Sequence, residues 1–131
     1  MQCAFCSLDP SRIAMEDDVS VLIDDLYPVS PGHCLIIPKR HIESFFDLMP
    51  SEQDSLFKMA NRAKNRLEEY RCKNSQPKPA GYNIGINDGQ AAGQTVPHVH
   101  LHLIPRYVGD SSDPRGGVRW VLPNKAKYWS E

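Results

Sequence analysis

No stretch of the chain approaches the ~18 consecutive apolar residues of a membrane helix. The opening, MQCAFCSLDP, has neither the basic segment nor the apolar run of a signal peptide. Neither sign of charge dominates: the net charge is −1, which argues against a nucleic-acid backbone or an anionic membrane as the main partner. Cysteine is scarce. Four among 131 residues read as metal ligands or buried thiols in a reducing compartment, not as a disulfide framework. Internal repeats and Gly/Ser-rich linkers are absent too. The expectation is a cytoplasmic chain folded as one domain over residues 1–131, long enough to build a core without staples.

What is there alternates strands with one strong helix. VSVLIDDLYP (19–28) and HCLIIP (33–38) read as strands, the second stopped by Pro38 and the two forming an antiparallel pair. MPSEQDSLFKMANRAKNRLEEYRCK (49–73) predicts a helix with Ser51 as N-cap. Its apolar face runs through Leu56, Met59 or Ala60, Ala63, Leu67 and Tyr70. YNIGIN (82–87) alternates as a strand, and DGQAAGQ (88–94) is a glycine-rich loop. A histidine strand follows between Pro97 and Pro105. The tail is loop-rich, with one more strand expected at GVRWVL (117–122). This order predicts an α+β architecture with the helix covering one face of a sheet.

TVPHVHLHLIPR (95–106) holds three of the five histidines at alternate positions. On a strand, His98, His100 and His102 share one face while Val99, Leu101 and Leu103 share the other. Such imidazoles hold a metal or perform proton and nucleophile chemistry. One zinc ion does not suit all three, because ~3.3 Å per residue spreads the outer rings ~13 Å apart. His100, in the middle, therefore reads as a base or nucleophile, and neutral imidazole is well suited to attack phosphorus. The loop before it offers glycine-permitted turns with backbone N–H groups, plus Gln94 and Thr95 as neutral donors. Taken alone, Gln94 and Thr95 could merely cap a turn, and His33, after Pro-Gly, would read as a surface residue.

GQTVPHVHLHLIPRY resembles the signature of the histidine-triad (HIT) family, His-φ-His-φ-His-φ-φ. The likeness extends upstream through LIDDLYPVSPGHCLIIPKRH, covering roughly residues 19 to 107. The tail DPRGGVRWVLPNKAKYW looks like that of bacterial members near the dinucleoside-polyphosphate-hydrolase branch. The resemblance implies a HIT fold, in which a five-stranded antiparallel sheet packs with one long helix and a short helix, usually as a homodimer. It implies hydrolysis that releases a nucleoside monophosphate through a covalent nucleotidyl-histidine. His100 matches the nucleophile; His102 and His33 match histidines that orient it and shape the phosphate pocket. Gln94 and Thr95 match positions at the α-phosphate and leaving group, with Gln94 counted among the catalytic residues. Asn87 matches a polar phosphate-side position, Asp25 the ribose acceptor and Leu26 a contact with the base, expected to be a purine. His98 is expected on the nucleotide side as well. Position 102 is histidine and not the glutamine of the uridylyltransferase branch, which favours hydrolysis over transfer between sugars. Phosphoramidate cleavage, or nucleotide binding without catalysis, is the alternative.

CAFC (3–6) is a CxxC, a redox or zinc motif, with free surface thiols as the alternative. Redox use wants a strand before it and a helix after, whereas this one begins at residue 3 and meets Pro10. Resemblance to a subset of bacterial HIT proteins implies one structural Cys2His2 zinc site from Cys3, Cys6, His41 and His98. The chemical step is then expected to need no metal. Cys34 and Cys72 read as ordinary thiols.

Overall fold

The computed structural model describes residues 3–130. Five strands, β1 (Ile13–Glu16), β2 (Ser20–Asp24), β3 (Cys34–Pro38), β4 (Gly81–Ile86) and β5 (Leu101–Arg106), form one antiparallel sheet in the order β1-β2-β3-β5-β4. The long helix α1 (Pro50–Lys73) and the short α2 (Pro123–Ala126) complete the expected inventory.

Helix α1 begins one residue ahead of the sequence-predicted cap. Pro50 opens it, its fixed φ suited to a first helical position. Glu52 reaches back to accept the Met49 N–H at 2.8 Å, and Arg40 clamps the same carboxylate with bonds of 2.9 and 2.6 Å. Ser51 is thus not the cap. Leu56, Met59, Ala60 and Ala63 bury themselves against Leu22, Ile36, Val99, Leu101 and Leu103, while Tyr70 stays exposed.

The opposite sheet face carries Val21, Ile23, Leu35 and Ile37, covered by Phe5, Leu8 and Ile13 from the N-terminal segment. Strand β1 belongs to this segment and was not legible in the sequence. It is four residues long, on the sheet edge, with an irregularity between Ile13 and Met15 that breaks any alternation.

Three further boundaries differ from expectation. Strand β2 stops at Asp24, well before Pro28, because the Asp25 carboxylate captures the Tyr27 N–H at 2.8 Å and turns the chain. Pro105 lies inside β5 and does not end it. Beyond Leu103, β3 no longer pairs with β5, and the Pro105 carbonyl instead accepts the Ser30 hydroxyl at 2.6 Å, so a residue without an N–H loses no ladder bond there. GVRWVL is not a strand: Gly117–Val121 is a 3-10 helix leading into α2. The Arg119 guanidinium holds that compact tail by donating to the Lys125 and Ala126 carbonyls.

The turn between β2 and β3 is packed tightly on α1. Gly32 has φ +92°, and a Cβ there would sit 2.7 Å from the Leu67 side chain, so only glycine fits. This contact seats the start of β3, and with it His33, against the helix.

Candidate active site

Alternation sorts the histidine segment as expected. Val99, Leu101 and Leu103 enter the helix-side core, and the imidazoles turn to the other face. There the triad divides in two.

His98, 0% exposed, turns away from the other two rings. Its Nδ1 lies 3.5 Å from both the Cys3 and Cys6 Sγ atoms and 3.3 Å from His41 Nδ1. Cys6 Sγ is 3.2 Å from His41 Nδ1, and all four potential ligand atoms fall within 4.8 Å of one another. A tetrahedral zinc with ~2.3 Å Zn–S and ~2.0–2.1 Å Zn–N bonds requires S···N of ~3.5 Å and N···N of ~3.4 Å. The residues fit the ion. His98 Nε2 donates to the Pro38 carbonyl at 2.7 Å, which fixes the tautomer and leaves Nδ1 as the bare lone pair a metal needs. Burial also holds His98 below the ordinary histidine pKa, favouring the ligating neutral form. Both ring nitrogens of His98 are thus engaged within the protein, Nε2 at the Pro38 carbonyl and Nδ1 among Cys3, Cys6 and His41.

His100 is 8% exposed and begins the extended run into β5. Its Nδ1 lies 3.0 Å from the His98 carbonyl. A carbonyl only accepts, so Nδ1 carries the proton and Nε2 holds the free lone pair. The ring stands between Phe5, at 5.0 Å and 73°, and His102, at 5.2 Å and 58°.

His102 and His33 form a proton-sharing chain. The Val29 N–H donates to His33 Nδ1 at 3.1 Å, so the His33 proton sits on Nε2, which donates to His102 Nδ1 at 3.0 Å. The His102 proton is then on Nε2. Asp25 Oδ2 lies 3.4 Å from the same His33 Nε2. His33 is 4% exposed, in contrast to the surface position its sequence context suggests. Burial, together with the charges of His100 and His33, pushes His102 down to about 4, against the pull of Asp25.

Because an unfolded histidine titrates near 6.5, the unfolded chain binds more protons between that value and about 4. The stabilising contribution is complete above pH 6.5 and is lost as the pH falls through this window. The melting temperature should therefore drop between pH 7 and pH 4, and less steeply in His102→Gln. Parallel curves would place the proton uptake elsewhere.

The remaining expected residues surround this centre unevenly. His33, His102, Asn87, Asn83, Gly85 and the tail residue Trp120 border a cavity of about 700 Å³. Asp25 adjoins it through His33, and Leu26 beside it is 64% exposed. Gln94 is spent within its loop: its Oε1 accepts the Gly89 N–H at 2.8 Å, while its Nε2 donates to the Glu43 and Val96 carbonyls. Gly93, at φ +95°, closes that loop, and Thr95 is left exposed. Sequence reasoning missed Phe5, the Pro38 carbonyl and the Trp120 wall. Only Phe5 carried a signal, lying between the two cysteines of CAFC.

The HIT domain model matches residues 8–109, most of the chain. The chain belongs to the HIT family. It is similar to the asymmetrical bis(5'-nucleosyl)-tetraphosphatase of Schizosaccharomyces pombe, 39% identical across 79% of this chain and 53% of that protein. The bifunctional bis(5'-adenosyl)-triphosphatase/adenylylsulfatase FHIT of Arabidopsis thaliana is 35% identical, over 79% of this chain and 54% of that one. The chain thus spans about half the length of these two relatives. A zinc-bound histidine-triad family protein from Mycobacterium smegmatis shares the fold at a TM-score of 0.66 and 34% identity, covering 85% of this chain and 79% of that chain. Among the described residues, no helix is long and apolar enough to cross a membrane.

Proposed function

We propose that this HIT protein hydrolyses dinucleoside polyphosphates, releasing a nucleoside monophosphate through a nucleotide covalently held on His100. The observation that carries the reading is the Nδ1–H of His100 committed to the His98 carbonyl, which leaves a buried, oriented Nε2 as nucleophile. The names of the related tetraphosphatase and triphosphatase point to the same substrate class.

In the first step the Nε2 lone pair attacks the α-phosphorus. The P–N bond forms as the P–O bond to the remaining polyphosphate breaks, and the leaving chain departs with the electron pair. The imidazole becomes cationic in this intermediate, and the His98 carbonyl on Nδ1–H stabilises that charge. Water then attacks phosphorus and gives up a proton to solvent, the P–N bond breaks with its electron pair returning to Nε2, and nucleoside monophosphate leaves with neutral His100 restored. His102 Nε2–H would donate to phosphate oxygens, with His33 and Asp25 holding its tautomer. Asn87 completes the phosphate side, and Thr95 offers its exposed hydroxyl. Gln94 acts through the loop it braces. Asp25, with Leu26 beside it, serves the ribose and base.

Cys3, Cys6, His41 and His98 would hold a structural zinc ion that ties the N-terminal turn to the sheet. The unpaired outer edge of β4 and the exposed Ile84 suit the homodimer common in the family.

A substrate panel tests the reading. Diadenosine tetraphosphate and triphosphate should yield AMP and the complementary nucleotide faster than adenosine phosphoramidate yields AMP. Faster turnover of the phosphoramidate would reassign the leaving group from oxygen to nitrogen. No turnover of any of the three would leave a binding protein.

A further inference from the structure

Phe5 sits between Cys3 and Cys6 in sequence, so the metal-binding turn fixes its backbone on both sides. The Phe5 N–H donates to Cys3 Sγ at 3.4 Å, and the Cys6 N–H closes the turn on the Cys3 carbonyl at 3.1 Å. Its ring does not point to solvent with the turn. It packs into the apolar patch of Val21, Ile23, Leu35 and Ile37 and meets two imidazoles edge-on. One is the metal-side His98, at 6.0 Å and 80°; the other is His100, at 5.0 Å and 73°. One side chain therefore touches both halves of the divided triad.

We infer that Phe5 is a positioning residue for His100, held by the metal-binding turn, so that the zinc site sets the orientation of the nucleophile. The inference rests on the reading of His100 as nucleophile. Among the described residues, the ring of His100 has one hydrogen-bond tether, at Nδ1, and two aromatic walls, Phe5 and His102. Rotation about that tether swings Nε2 sideways, and the Phe5 edge blocks it from one side. The metal contributes no chemistry to the reaction in this arrangement; it makes the wall rigid. A proline or glycine hinge between the cysteines would break the link, and Ala4 and Phe5 provide none.

The test compares zinc-loaded wild type, Phe5→Ala and Phe5→Leu. Zinc content should stay at one ion per chain in all three. In Phe5→Ala, kcat should fall about tenfold with KM nearly unchanged, because a misaimed nucleophile costs rate and not affinity. Phe5→Leu should restore most of the loss by rebuilding the wall. Nitrogen NMR of the His100 ring gives a readout independent of turnover. Wild type should show a single tautomer with the proton on Nδ1, and Phe5→Ala an average of two. Unchanged kcat and unchanged ring signals would overturn the proposal. So would a loss confined to KM, which would make Phe5 a substrate contact. Should Phe5→Ala shed its metal, chelator-treated wild type carries the test. Loss of the single tautomer on stripping supports the coupling, and its persistence overturns it. Failure of the nucleophile assignment is seen separately, as the absence of any wild-type adduct.

Discussion

Replacing His100 by alanine is expected to lower kcat/KM by about 10³-fold or more, in line with the loss of an activated nucleophile elsewhere. Affinity for AMP should change by no more than about threefold, because the ring supplies its interaction in the transition state and little in the ground state. The geometry makes the effect specific. His102 cannot substitute, since its Nδ1 already accepts from His33 Nε2 at 3.0 Å and its Nε2 carries the proton. His98 cannot either, with Nε2 on the Pro38 carbonyl and Nδ1 turned to the cysteines. Steady-state kinetics and calorimetric AMP binding on the same preparation check both halves. Activity within about tenfold of wild type would remove His100 from the role.

Removing the metal ligands should have the largest effect on stability. Purified protein is expected to carry one zinc per chain by elemental analysis. Cys3→Ser with Cys6→Ser should lower the melting temperature by about 10 °C, corresponding to ~2–3 kcal/mol at roughly 4 °C per kcal/mol for a chain of this size. The reasoning is local. Without the ion, His98 remains buried beside thiols and another imidazole, and the turn that places Phe5 and Leu8 over Val21, Ile23, Leu35 and Ile37 loses its tie to His41 and His98. Thiolates and neutral imidazoles are the ligating forms, so acid or a strong chelator should reproduce the loss. Metal-free protein as isolated, with no stabilisation on adding zinc, would return CAFC to plain thiols.

The division of the triad was legible in part from spacing. A period of two puts three imidazoles on one face and three apolar residues in the core whatever the rest of the fold does. The ~13 Å spread of the outer rings at ~3.3 Å per residue already implied that one metal ion could not hold all three, while the assignment of His98 to the cysteines came from the family resemblance. What spacing could not supply is direction about each ring. That His100 faces the His98 carbonyl, and His98 the Pro38 carbonyl, depends on how β3 and the entry to β5 meet. His33 was misleading alone, because the Pro-Gly turn before it suggests solvent, whereas packing of Gly32 on Leu67 pulls it inside. Phe5 and Trp120 escaped for a similar reason. They reach the site from the N-terminal segment and the tail, through contacts with residues far away in sequence, and only the place of Phe5 between the CAFC cysteines gave a local sign.

The most direct test of the central claim is intact-protein mass spectrometry after brief mixing with diadenosine tetraphosphate and a quench that avoids acid, since P–N bonds to histidine are acid-labile. A mass increase of one adenylyl group, mapped by fragmentation to His100 and missing in His100→Ala, is the result this account predicts. Turnover with no adduct at any mixing time, or an adduct mapped to another residue, would contradict it.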